Sequence, residues 1–144
     1  MKVEVRHVDL YEDEEALISA VELTDDIKSA IDILENNCRV VPVISDSKTI
    51  MLKTDAIYYI ESVDKRTYVY TKENCYETRY RLYELEDILS FYFLRVSKAM
   101  IINIRKIRAV KAELNGRMRA DLLNGEQITI SRAYVKELKG KLGI

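Results

Sequence analysis

The sequence predicts a mostly β protein of antiparallel sheets with short helices, preceded by a small α+β unit. Three observations predict it. Apolar and polar residues alternate at period two in several short runs, as a strand with one face in a core requires. Asn115-Gly116 and Asn124-Gly125 each fall between two strand-like runs, and Asn-Gly tolerates the positive φ of a type I′ hairpin turn. No βαβ repeat is present, which argues against a parallel nucleotide-binding sheet.

The first 47 residues read as the α+β unit. "KVEVRHV" alternates as a half-buried strand does, and "ALISAVEL" is a second strand. Thr24 then offers a hydroxyl cap and Asp25 and Asp26 supply acids for the first turn of a helix. Ile27, Ala30, Ile31 and Leu34 share one helical face, and Asn36-Asn37 closes it. "RVVPVI" follows as a strand whose Pro42 suggests an edge position. "SDSK" marks the boundary to a second unit, residues 48–144.

That second unit reads as strands joined by tight turns. "TIMLK" and "AIYYIES" are short strands, and "TYVYTKENCYETRYRL" is a hairpin folded at Lys72–Asn74 with Tyr68, Tyr70, Tyr76 and Tyr80 as cross-strand aromatic pairs. "LYELEDIL" switches to helical spacing at Leu82, Leu85, Ile88 and Leu89. The Asn-Gly pairs join "KIRAVKAEL", "RMRADLL" and "EQITIS" into a three-stranded meander. Ser131 caps a last helix through Tyr134, Val135, Leu138 and Leu142.

Composition narrows the function classes. With 48% hydrophobic and 33% charged residues over 144 positions, the chain is globular, and it is long enough to fold without staples. No apolar run reaches the roughly 18 residues of a membrane helix, and the N-terminus lacks a signal-peptide pattern, so membrane insertion is not expected and the expected location is the cytoplasm. Cys38 and Cys75 form no C-x-x-C pair and the chain has a single histidine, His7; reduced thiols packed as small apolar groups are expected, not a metal site. Phosphate-binding glycine loops, a G-x-S-x-G elbow and a histidine near a nucleophile are missing from the sequence, so neither an enzyme nor a cofactor is expected. No residue points to a small-molecule ligand.

Charge distribution points elsewhere. Residues 1–47 hold 4 basic and 12 acidic side chains, whereas residues 90–144 hold 12 basic and 4 acidic ones. The C-terminal third therefore presents a surface suited to an anion. Within it, "FLRVSKAMIINIRKI" threads Arg95, Lys98, Arg105 and Lys106 through residues too apolar to leave exposed. Such a segment is anchored in a core while Arg95 and Lys98 project from it. Asn103 is suited to pairing with backbone groups at a bend there.

"IYYIES", "RLYELEDIL", "FLRVSKAMIINIRKIRAV" and "GRMRADLLNGEQITISRAYVKELKGKLGI" resemble, in order and spacing, the LytTR DNA-binding domain, over residues 48–144. The resemblance implies an elongated stack of antiparallel β-sheets whose loops, rather than a recognition helix, enter the DNA grooves. Members are bacterial transcriptional regulators that typically bind direct repeats in promoters. The 47 residues in front are too few for a phosphoacceptor receiver domain, so the chain resembles the stand-alone subgroup, with its N-terminal unit in a dimerisation or regulatory role.

By the same resemblance, Lys65, Arg66 and Thr67 fall in the first contact loop, Arg95, Ser97 and Lys98 in the second, and Ser131 and Arg132 in the third. Thr67 stands where some members carry a base-reading histidine, and Ala99 and Ala133 replace polar residues of the family pattern. Lys136 adds a further cation. Such lysines and arginines neutralise phosphates with counterion release, or reach guanine O6 and N7 in the major groove. The expected function is thus a sequence-specific regulator that binds double-stranded DNA as a homodimer. The alternative is an interaction module whose basic face binds an acidic partner or its own N-terminal unit.

Overall fold

The computed structural model describes residues 1–10, 13–34 and 39–144. The chain divides into two compact units, residues 1–37 and residues 38–144. In the first, α1 (Asp25–Leu34) forms as its sequence dictates, with Asp25 and Asp26 in the first turn. Thr24 Oγ1 accepts a hydrogen bond from the Ile27 amide at 3.4 Å. The expected close at Asn36-Asn37 and the expected burial of Cys38 lie outside the described residues. The two strands expected before α1 are not formed among the described residues: residues 2–8 and 16–23 join no sheet, and Val3, Val5, Leu17 and Val21 are exposed. Period-two alternation supplies a face for a sheet, but a strand exists only where a neighbour takes its N–H and C=O groups.

The larger unit is built on a seven-stranded antiparallel sheet. Its strands are β1 (Val40–Ser45), β2 (Lys48–Lys53), β3 (Tyr59–Val63), β4 (Arg66–Tyr70), β5 (Cys75–Thr78), β6 (Phe93–Ser97) and β7 (Met100–Asn103), in the order β2-β1-β5-β4-β3-β7-β6. "SDSK" is a hairpin turn between β1 and β2, with Asp46 and Ser47 at φ 47° and 63°. "RVVPVI", assigned by the sequence to the N-terminal unit, therefore belongs to this sheet, and Val41 and Val43 are fully buried in its core. Pro42 is not on the edge either. Its carbonyl accepts from Thr78 Oγ1 at 2.9 Å, so the side without an N–H faces β5, and β1 pairs with β5 only at Ile44 and Glu77. The outer strand is β2.

The hairpin at residues 71–74 forms where expected, but its tyrosines do not pair across it. Tyr70 lies opposite Cys75 and Tyr76 opposite Val69. Tyr70 instead stacks on Tyr59 of β3, rings 4.3 Å apart and 11° from parallel. Cys75 is free and exposed, not packed as a small apolar group, because it begins β5 beside the turn.

A second sheet holds β8 (Ile107–Ala112), β9 (Met118–Leu122) and β10 (Gln127–Ile130) in the meander order β10-β9-β8. Its first turn places Asn115 and Gly116 at φ 64° and 75°, the type I′ signature. Its second differs from the expectation: only Gly125 has positive φ, at 89°, because Asn124 Oδ1 is used to accept from the Glu126 amide at 3.1 Å. Two helices complete the unit. α2 (Leu82–Ile88) starts where Glu84 Oε1 reaches back to the Arg81 amide at 3.1 Å, and α3 (Arg132–Leu142) ends at Gly143 in the left-handed conformation.

The large sheet is buried on both faces where β3, β6 and β7 run. Ile60 and Ile101, register partners, enter one core with Val41, Val43, Val69, Leu82, Leu85 and Leu89. Their neighbours Tyr59 and Ile102, also partners, enter a second core with Leu94, Val96, Met118, Leu122, Ile130 and Leu138. Each fully buried isoleucine contributes about 1.5–3 kcal/mol. Asn103 closes β7 and is buried: its Nδ2 donates to the Ile57 carbonyl at 2.9 Å and its Oδ1 accepts from the Arg105 amide at 3.0 Å. Replacing it with alanine strands both backbone groups, so Asn103→Ala should lose about 1–3 kcal/mol of stability in urea unfolding.

Tyr59 ties the two sheets together by donating from its hydroxyl to Glu126 Oε2 at 2.6 Å. Burial, and then the Glu126 hydrogen bond, raise its phenol above the ordinary value of 10.0. The folded state thus keeps a proton that the unfolded chain releases. Stability from this group is complete below about pH 10 and declines as pH rises beyond it. Tyr59→Phe should therefore show a shallower alkaline loss of stability than the parent in urea titrations on either side of that pH.

Candidate nucleic-acid interface

The β3–β4 connection is a two-residue turn in which Asp64 and Lys65 have φ 50° and 65°. Left-handed backbone is uncommon for lysine and persists here because the flanking strands dictate the turn. Lys65 and Arg66 are exposed, and the Arg66 guanidinium lies 4.0 Å from Glu77 while remaining largely in solvent. Thr67 is different: it is only 5% exposed, paired with Thr78 on β5 and Ser62 on β3.

The β6–β7 turn carries Lys98 and Ala99, both exposed. The strands leave register between Arg95 and Ser97. Ser97 Oγ accepts from the Ala99 amide at 3.2 Å, so its hydroxyl shapes the turn. Arg95 is engaged twice, by ion pairing with Glu86 of α2 and by donating to the Lys98 carbonyl. It braces the turn from below and leaves Lys98 as its outward cation.

Ser131 occupies the cap position of α3, as expected, but its side chain makes no capping hydrogen bond. Arg132 and Lys136 follow one helical turn apart and are exposed. The stem of Arg132 lies against Gly116 of the β8–β9 turn.

Two backbone hydrogen bonds join these three loops. The Ser62 amide donates to Ala99 at 2.8 Å, tying the first to the second, and the Ser131 amide donates to Val96 at 2.8 Å, tying the third to β6. An open cleft of about 320 Å³ then gathers Lys65, Arg81, Arg95 and Lys98 around Thr67, with Tyr83 on its wall. Like charges converging on one concavity repel one another, and an anion relieves that repulsion. Arg81, the cap of α2, and Tyr83, in its first turn, were missed by sequence reasoning, because that helix was legible only by its apolar residues. The remaining cations of "FLRVSKAMIINIRKI" turn elsewhere: Arg105 lies 4.2 Å from the Tyr92 ring centroid and Lys106 5.3 Å from that of Tyr58.

Comparison with known proteins identifies the family. The family model described as the LytTr DNA-binding domain matches residues 47–143. A transcriptional regulator of Staphylococcus aureus, named as an uncharacterized HTH-type one, is 30% identical over 130 residues, covering 88% of each chain. The sensory transduction protein LytT of Enterococcus faecalis is 25% identical over 105 residues, 72% of this chain and 43% of that longer protein. Among solved structures, the LytTr DNA-binding domain of a Bacillus cereus protein superposes with a TM-score of 0.70 at 27% identity, over 74% of this chain and 98% of that one. A helix-turn-helix has no counterpart among the described residues, where five strands separate α2 from α3. With its antiparallel sheets, its few short helices and a family match over most of its length, the chain belongs to the LytTR DNA-binding domain family.

Proposed function

We propose that the protein is a sequence-specific transcriptional regulator that grips promoter DNA, in direct repeats, through its three linked loops in the major groove. The observation that carries this reading is the pair of backbone hydrogen bonds that fixes the loops relative to one another. A rigid row of cations costs little entropy to present to a duplex. Lys65, Arg66, Lys98 and Lys136 are its phosphate contacts, and Arg132, at the start of α3, reaches a base edge or phosphate. Ser131 donates its uncommitted hydroxyl to a phosphate. Arg95, Ser97 and Thr67 act from behind, holding the loops that carry the others. The name of the Staphylococcus relative, a transcriptional regulator, supports a role in regulation.

Fluorescence anisotropy on a duplex from the promoter of the protein's own operon, against a scrambled duplex, tests this directly. Binding should favour the promoter and weaken steeply with salt. Lys98→Ala should reduce affinity roughly tenfold for both duplexes and lower the salt slope by about one. Unchanged affinity in both Lys98→Ala and Arg132→Ala would refute the assignment.

The N-terminal unit supplies the second half of the proposal, a homodimer suited to repeated sites. Val3, Val5, Leu17, Val21, Ile33 and Leu34 are exposed in it, more apolar surface than a short segment keeps in water without a partner. Leu17→Asp with Val21→Asp should shift sedimentation from dimer to monomer while leaving the fold of residues 38–144 intact by circular dichroism.

A further inference from the structure

We infer that Gly116 is a positioning residue for DNA binding, required because the stem of Arg132 occupies the space where any side chain would begin. A Cβ built on Gly116 falls 2.9 Å from Arg132 Cδ and 3.0 Å from its Cγ. Contacts that short do not persist, so a side chain at 116 displaces the arginine. The turn favours glycine here in any case, since φ 75° lies in the left-handed region that side chains rarely adopt, and Asn115 beside it, at φ 64°, is of a type that tolerates that region.

Gly125 provides an internal comparison. It also has positive φ, at 89°, in the other turn of the same meander, but a Cβ there meets nothing within 4 Å. Glycine at 125 answers a backbone requirement alone, whereas glycine at 116 answers a backbone requirement and clears a seat. Gly116 also lines an open cleft of about 530 Å³ together with Arg132, Lys136 and Lys139. Three cations of α3 thus share one concavity whose shape depends on the missing side chain. The β8–β9 turn, itself outside the contact loops, acts as a rest for the stem of Arg132 before DNA arrives. Lys139 joins the same surface as a further cation.

This inference rests on Arg132 as a DNA contact, and the experiment separates the two. Asparagine preserves left-handed backbone while adding a Cβ, so Gly116→Asn and Gly125→Asn are made in parallel, each alone and in the Arg132→Ala background. Affinity for the promoter duplex is read by anisotropy and folding by thermal melting. Gly116→Asn should weaken binding about tenfold, the scale of one lost contact, while Gly125→Asn binds like the parent. In the Arg132→Ala background, Gly116→Asn should cost nothing further, since the group it displaces is gone. If Arg132→Ala alone leaves affinity unchanged, the contact assignment fails and takes the inference with it. If Arg132→Ala weakens binding but Gly116→Asn binds like the parent, or costs as much in both backgrounds, the positioning role is overturned and the contact assignment stands.

Discussion

The structure depends on burying one end of the large sheet, where β3, β7 and β6 run, on both faces. A strand sends successive side chains to opposite sides, so a strand covered on both must be apolar throughout. β6 and β7 largely meet that demand, sending Phe93 and Ile101 into one core and Leu94, Val96 and Ile102 into the other. The same demand forces the second sheet and α3 onto one side and α2 onto the other. The loops between these strands inherit the rigidity of two cores at once, and there the protein puts its cations.

That placement explains why several polar groups near the loops work inward. Arg95 joins α2 to the turn that carries Lys98, Ser97 folds that turn, and Asn103 satisfies the backbone where β7 leaves the sheet. Each of these side chains fixes a neighbour in place. Short exposed loops gain order from such support, since a loop without it would lose ordering entropy on every encounter with a partner.

Much of this was legible in the sequence because it was local. Two Asn-Gly turns, the Leu-rich helix after Arg81 and the Thr24 cap each state their structure within a few residues. The family was legible through linked motifs in order. Other features depended on partners distant along the chain. The tyrosines of the β4–β5 hairpin suggested pairs with one another, yet Tyr70 found Tyr59 on the next strand. "SDSK" carried the composition of a linker, although β1 returns to complete the sheet beyond it. The N-terminal alternation described a strand's face without supplying the strand's neighbour.

By itself, the sequence determined the kind of fold and the acidic and basic ends, with their cations among them, because period, turn chemistry and charge are properties of neighbouring residues. Only the tertiary structure decided which of those residues reach solvent. Arg95 and Lys98 are three positions apart and alike in charge, but Glu86 engages one and leaves the other exposed. Gly116 and Gly125 follow the same residue in the same motif, yet only one has Arg132 resting on it. Those distinctions arise from contacts between segments far apart in the chain, and such contacts exist only after the sheets have packed.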